Sequence, residues 1–122
     1  MSRRSGPLQP KHVAKPWGHE TIWARTDRYV GKILHIRAGH ALSLQYHRRK
    51  EETIRVLSGR IELQVGAGDR PRKRVRLGPG QGWHLPPRVR HRMTALVDAD
   101  VLELSTPHLD DVVRLDDRYD RV

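Results

Sequence analysis

Gly39-HALSL-Gln45-Tyr46-His47-RRKE-Glu52-TIRVLS-Gly59 sets the geometry expected for this chain, together with Gly80-QGWHL-Pro86-PRVR-His91 further on. Gln45 and His47 stand two residues apart, so on a strand their side chains point to one face. Glu52 lies five beyond His47, enough for a tight turn and the start of an antiparallel return strand. Two imidazoles, a carboxylate and an amide oxygen form a plausible first shell for a divalent metal. Gln45, His47, Glu52 and His91 are therefore the candidate metal ligands.

Alternation extends this reading. Ser43, Gln45 and His47 share one face of their strand, and Leu42, Leu44 and Tyr46 the other. Glu52, Ile54 and Val56 fall together on the return strand, as do Lys32, Leu34 and Ile36 earlier in the chain. In a plain sandwich the apolar set faces the core and the polar set faces water. In a barrel with a functional interior the polar set lines a cavity instead, and the apolar set packs on a neighbouring sheet or subunit.

From Pro16 onward the chain consists of short strands broken by Gly, Pro and Asp. The candidates are Glu20–Ala24, Val30–Ile36, Ala41–His47, Thr53–Leu57, Ile61–Val65, Arg72–Leu77, Gly82–Leu85, His91–Ala95 and Val101–Ser105. Strands at this spacing, divided by turn residues, predict an all-β sandwich or barrel. No stretch before residue 107 keeps a helical period over three turns. The tail from Leu109 allows one helical turn or an extended run. Residues 1 to 15 are polar with Pro7 and Pro10, and are expected as a loose arm; residues 16 to 122 form the single domain that this length supports.

The net charge of +10, from 24 Lys and Arg against 14 Asp and Glu, favours anionic partners. The positive charge is mostly Arg and is spread along the chain. The 3 Trp and 3 Tyr show no interleaved stacking pattern, which argues against a specific nucleic-acid binder. The absence of Cys excludes disulfides and thiolate metal sites. No segment approaches the ~20 apolar residues of a membrane span, and the N-terminus lacks the apolar stretch of a signal peptide. The expectation is a soluble cytoplasmic protein with no membrane partner.

The two motifs resemble those of the cupin superfamily: Gly, five residues, His-x-His, three or four residues, Glu, six residues, Gly; then Gly, five residues, Pro-x-Gly, two residues, His, three residues, Asn. Here Gln45 replaces the first His, Arg88 the second-motif Gly, and Ala95 the Asn. The resemblance implies a single antiparallel double-stranded β-helix, the jelly-roll barrel. Within that superfamily the chain is similar to the cupin domain of type II mannose-6-phosphate isomerases. The resemblance rests on Pro16-Trp17-Gly18, the strand ending in Gly39, Leu42-Ser43-Leu44-Gln45-Tyr46-His47, His91-Arg92, Glu103 and the ending Asp111 to Arg121. Three further departures stand out: Lys50 where that family carries Arg, Thr53 where it carries His, and Asp120 for the Gly of a terminal Tyr-Gly-Arg.

The resemblance implies a metal-dependent aldose–ketose isomerase interconverting mannose 6-phosphate and fructose 6-phosphate, acting as a stand-alone cupin. One divalent ion is implied. The neutral Gln45 oxygen tilts the choice toward Zn, with Mn, Fe or Ni as the other candidates. Glu103 is the candidate base, a metal-held hydroxide being the alternative, and Lys50 and Arg121 are further candidate catalytic residues. Lys32, Ser43, Arg92 and Arg114 are candidate substrate contacts, the cations suiting the phosphate of a phosphorylated sugar or another small anion. His35 and His40 lie off the motif, while Trp17 and Trp83 read as packing residues. A homodimer is expected, because so small a jelly roll leaves sheet edges to cover. Two other readings remain open: a metal-dependent cupin oxygenase on another small molecule, and a non-catalytic sugar or ligand binder.

Overall fold

In the computed structural model, which describes residues 4–68, 70 and 72–121, the chain is built from eleven strands with no helix among the described residues. They are β1 Lys11–Lys15, β2 Gly18–Arg25, β3 Val30–Ile36, β4 Leu44–Tyr46, β5 Glu52–Ser58, β6 Ile61–Ala67, β7 Lys73–Leu77, β8 Gly82–Leu85, β9 Val89–Ala95, β10 Ala99–Ser105 and β11 Val113–Asp116. Two antiparallel sheets face each other, one ordered β1-β2-β3-β10-β5-β8 and the other β11-β4-β9-β6-β7. This is the antiparallel all-β barrel expected from the alternation. No helix among the described residues is long and apolar enough to cross a membrane.

Period-two patterning explains why these segments pair as they do. On β5 every second residue from Glu52 to Val56 is buried, on β6 Ile61, Leu63 and Val65, and on β9 His91, Met93 and Ala95. Leu34, Ile36, Ile54, Val56, Leu63, Leu85, Met93 and Val101 fill the space between the sheets. Each fully buried Leu or Ile there contributes about 1.5–3 kcal/mol by leaving water. The inward rows are not apolar throughout. Lys32 on β3, Glu52 on β5, His91 on β9 and Glu103 on β10 are all buried among the apolar residues of those rows. One end of the barrel interior is hydrocarbon and the other is polar.

Tight turns hold these rows in register. Gly59, between β5 and β6, has φ +78, and a Cβ there would meet the Asp98 carbonyl oxygen at 2.1 Å. Only glycine allows that approach.

Several boundaries differ from the sequence expectation. Lys11–Lys15 lie in the stretch expected as a loose arm, yet pair with β2 from Lys11 opposite Ile22 to Lys15 opposite Gly18. Backbone bonding to a neighbouring edge orders a segment whose side chains gave little periodic signal. Residues 1–3 of that arm lie outside the described residues. The candidate strand from Ala41 shortens to Leu44–Tyr46, with Ala41 held by an isolated bridge to Thr94. The tail runs extended as β11 beside β4.

Candidate metal centre and cavity

The polar end of the interior gathers residues from both sheets. His47 follows β4 directly, Glu52 opens β5 and His91 lies on β9, with Gln45 opposite His91 in the β4–β9 register. Nitrogen and oxygen atoms of His47, Glu52 and His91 all lie within 4.8 Å of one another. His91 Nε2 is 3.1 Å from Glu52 Oε1, and His47 Nε2 is 3.6 Å from Glu52 Oε2. The two imidazoles are tilted at 45° with centroids 5.3 Å apart.

Backbone carbonyls fix the outer nitrogen of each ring. His47 Nδ1 donates to the Asp111 carbonyl, and His91 Nδ1 donates to the Val89 carbonyl at 3.0 Å. With both protons held at Nδ1, both Nε2 lone pairs point toward Glu52, the tautomer a metal needs. His47 Nε2, His91 Nε2 and both Glu52 carboxylate oxygens are buried without a completed hydrogen bond. Among the described residues the other such atoms are Trp23 Nε1 and Arg114 Nε. Four unsatisfied polar atoms in one place, on residue types that bind divalent ions, fit a metal.

The electrostatics agree with that fit. Burial alone would raise the Glu52 pKa, but the His91 contact and the charges of Lys50, His91 and His47 hold it far below the usual carboxylate range. Burial lowers the His47 pKa and so favours the neutral ring, against the charge of Glu52. For His91, burial works the same way, but the contact and charge of Glu52 win and its pKa is raised. Proton and metal therefore compete for His91 Nε2.

Lys50 and Glu103 complete the buried cluster. Lys50 Nζ is 3.0 Å from Glu52 Oε2 and 3.3 Å from Glu103 Oε2. Burial would depress its pKa, yet the charges of Glu103 and Glu52 keep it well above the ordinary lysine value. Glu103 has a raised pKa, from burial first and the Glu52 charge second, with Lys50 and Lys32 acting in opposition. Lys32 lies opposite Glu103 in the β3–β10 register and 3.5 Å from Glu20.

A cavity of about 340 Å³ opens beside this cluster. Gln45, His47, Lys50 and Glu103 line it, as do Lys32, Ser43, Arg114 and Arg121. Ser43 Oγ donates to Gln45 Oε1 at 2.7 Å, so the serine orients the amide rather than standing free. Arg121 is held by Asp117 through Nε at 2.8 Å and a second nitrogen at 3.1 Å. That pairing lowers the Asp117 pKa.

Arg92 does not join them. It follows the inward-facing His91, so strand alternation turns it to the outer face of β9. There its guanidinium donates to the carbonyls of Leu42 and Asp116 at 3.0 and 2.9 Å. It buttresses β4 and β11 and does not line the cavity. Thr53 likewise faces outward, so the departure at that position leaves the cavity unchanged. His35 and His40 also lie away from the cavity, His40 being hydrogen-bonded to the Tyr119 hydroxyl at 2.7 Å.

Several residues of the site were not expected in it from the sequence. Lys11, Lys15 and Arg25 line the cavity from β1 and β2, with Glu20 3.8 Å from Lys15, and Trp17 forms both wall and core. Asp111 is the other. Its carboxylate accepts from the backbone amides of Arg48, Arg49 and Lys50 at 3.1, 2.7 and 2.9 Å, while its carbonyl holds His47. Against burial, which acts to raise it, those three amides together lower its pKa to about 2.

Comparison with known proteins places these features in context. Over residues 32–106 the chain matches the family model described as a cupin domain. It is 29% identical over 117 residues to the mannose-1-phosphate guanylyltransferase of Escherichia coli (strain K12), covering 92% of this chain and 23% of that protein. It is 28% identical over 123 residues to the xanthan biosynthesis protein XanB of Xanthomonas campestris pv. campestris, covering 97% of this chain and 25% of that one. The chain thus spans about a quarter of the length of these curated relatives. The solved structure of KdgF from Halomonas sp. is similar in fold, with a TM-score of 0.71 and 23% identity over 86% of this chain and 91% of that one.

Proposed function

The chain belongs to the cupin family, and from that premise we propose that it is a metal-dependent sugar-phosphate isomerase interconverting mannose 6-phosphate and fructose 6-phosphate. The observation that carries the reading is the buried His47–Glu52–His91 cluster, with its unsatisfied ligand atoms, beside a cavity whose wall is rich in Lys and Arg. A curated relative whose name concerns mannose 1-phosphate supports the choice of sugar. Guanylyl transfer is not carried over, because this chain spans so little of that protein.

Aldose–ketose exchange moves a proton between C1 and C2 while negative charge builds on their oxygens. His47, Glu52 and His91, with Gln45 beside them, would hold one divalent ion, Zn first and Mn, Fe or Ni as alternatives. When bound, such an ion supplies Lewis-acid polarisation of the carbonyl. Glu103 is the proposed base, taking the proton from one carbon and returning it to the next. Burial raises its proton affinity toward the range useful for that task. Lys50, against Glu52 and Glu103, supplies positive charge near the reacting oxygens. Lys32, Arg114 and Arg121 would receive the phosphate, with Ser43 setting the Gln45 amide.

The test is a coupled assay for fructose 6-phosphate from mannose 6-phosphate, on protein shown by elemental analysis to carry one metal per chain. Turnover that disappears on chelation and returns with metal supports the proposal. Absence of turnover at full occupancy overturns it, and retention of the unchanged sugar phosphate would identify a binding protein instead.

A further inference from the structure

On the outer surface of the six-stranded sheet, four polar residues form a row across four strands. His19 on β2 lies opposite His35 on β3, His35 opposite Asp100 on β10, and Asp100 opposite Ser58 on β5. None of them lines the cavity. The neighbours of His35 and Asp100, namely Leu34, Ile36 and Val101, turn inward to the hydrocarbon end of the core, so the row lies outside the barrel wall.

The geometry within the row is ordered. The two imidazoles are stacked with centroids 5.0 Å apart and planes within 21°. His35 Nδ1 is 2.8 Å from Asp100 Oδ1, and Ser58 Oγ donates to Asp100 Oδ2 at 3.2 Å. A carboxylate anchored on one side holds the Nδ1 proton of His35 on the other, which leaves the Nε2 lone pair free. Carboxylate–imidazole pairs of this kind orient metal-binding histidines. The two residues stand directly opposite on antiparallel strands, so turning the exposed His19 ring out of the stack would let both imidazoles reach one ion.

We propose that His19 and His35 form a second, peripheral site for a transition-metal ion, with Asp100 and Ser58 orienting His35. The chemical class follows from the donors. Two neutral nitrogens on a water-facing surface favour Cu(II), then Ni(II) and Zn(II), over Mg²⁺ or Ca²⁺, which prefer oxygen. The site is independent of the isomerase reading and shares no residue with the interior cluster.

The experiment is residue-resolved carbethoxylation of histidines in the full chain, read by mass spectrometry. The protein is first given one equivalent of Zn(II) and then titrated with Cu(II). His19 and His35 should lose reactivity together at one midpoint, while His12 on the neighbouring strand keeps its reactivity. In His19→Ala the protection of His35 should be lost. In Asp100→Asn the midpoint should rise about tenfold, the usual cost of removing such an orienting group. Circular dichroism confirms that the exposed His19 change leaves the fold intact. If His35 stays reactive at saturating Cu(II), or is protected equally in His19→Ala, the pair is sheet packing only and the proposal fails.

Discussion

At the scale of single residues, the decisive property of this chain is that three side chains are buried in a state which the protein alone does not satisfy. His91→Ala and Glu52→Ala each remove one of the three ligand groups converging on the interior site. Both are expected to drop metal content well below one per chain by elemental analysis, and full occupancy in both would show the ligand assignment to be wrong. Arg88 is another telling position. It stands where the resembled motif carries Gly, and it keeps φ +70, a region that favours Gly. Asp120 repeats the pattern with φ +58, where the resembled Tyr-Gly-Arg ending has Gly. Arg88→Gly should therefore stabilise the chain by about 0.5–1 kcal/mol in urea unfolding, the relief of left-handed strain exceeding the added entropy of glycine.

At the scale of elements, the segment between β10 and β11 does more than connect. Asp111 ties it to the β4–β5 turn through three amides and fixes His47 through its carbonyl. Its carboxyl pKa is lowered to about 2 in the folded chain. Because the folded value is the lower, the stabilisation is full above the unfolded carboxyl value of roughly 4 and is lost as pH falls toward 2. The stability gap between the chain and Asp111→Asn should thus be largest near neutral pH and shrink steadily below about pH 4. A constant gap across that range would mean that the amides are satisfied some other way.

The same segment shows what the sequence could reveal. Strands with apolar alternation, such as β3, β5 and β6, were legible because burial imposes period two on their composition. The His47–Glu52–His91 cluster was legible because the two motifs space these residues relative to turns. Arg92, expected as a substrate contact because Arg suits phosphate, is turned outward by the same alternation that faces His91 inward. Lys11, Lys15, Glu20 and Asp111 reach the site only through long-range pairing, and a linear pattern carries no trace of that. β1 was missed for the same reason, since its order comes from backbone bonds to β2 rather than from its own side chains.

At the scale of the molecule, the interior cluster spans the two sheets. His47 and His91 belong to the sheet containing β4 and β9, and Glu52 to the sheet containing β5. A chain without cysteine has no disulfide between its layers. An ion shared by these residues would be a removable rivet between them, adding about 2.7 kcal/mol when free metal is 100 times its dissociation constant. The consequence lies in how the protein opens. Stripped of metal, the sheets can breathe as separate cooperative units, and amides of β5 and β9 should exchange hydrogen with different opening energies. With metal bound, neither sheet can leave without breaking the rivet, and the two sets of amides should slow together to one shared rate.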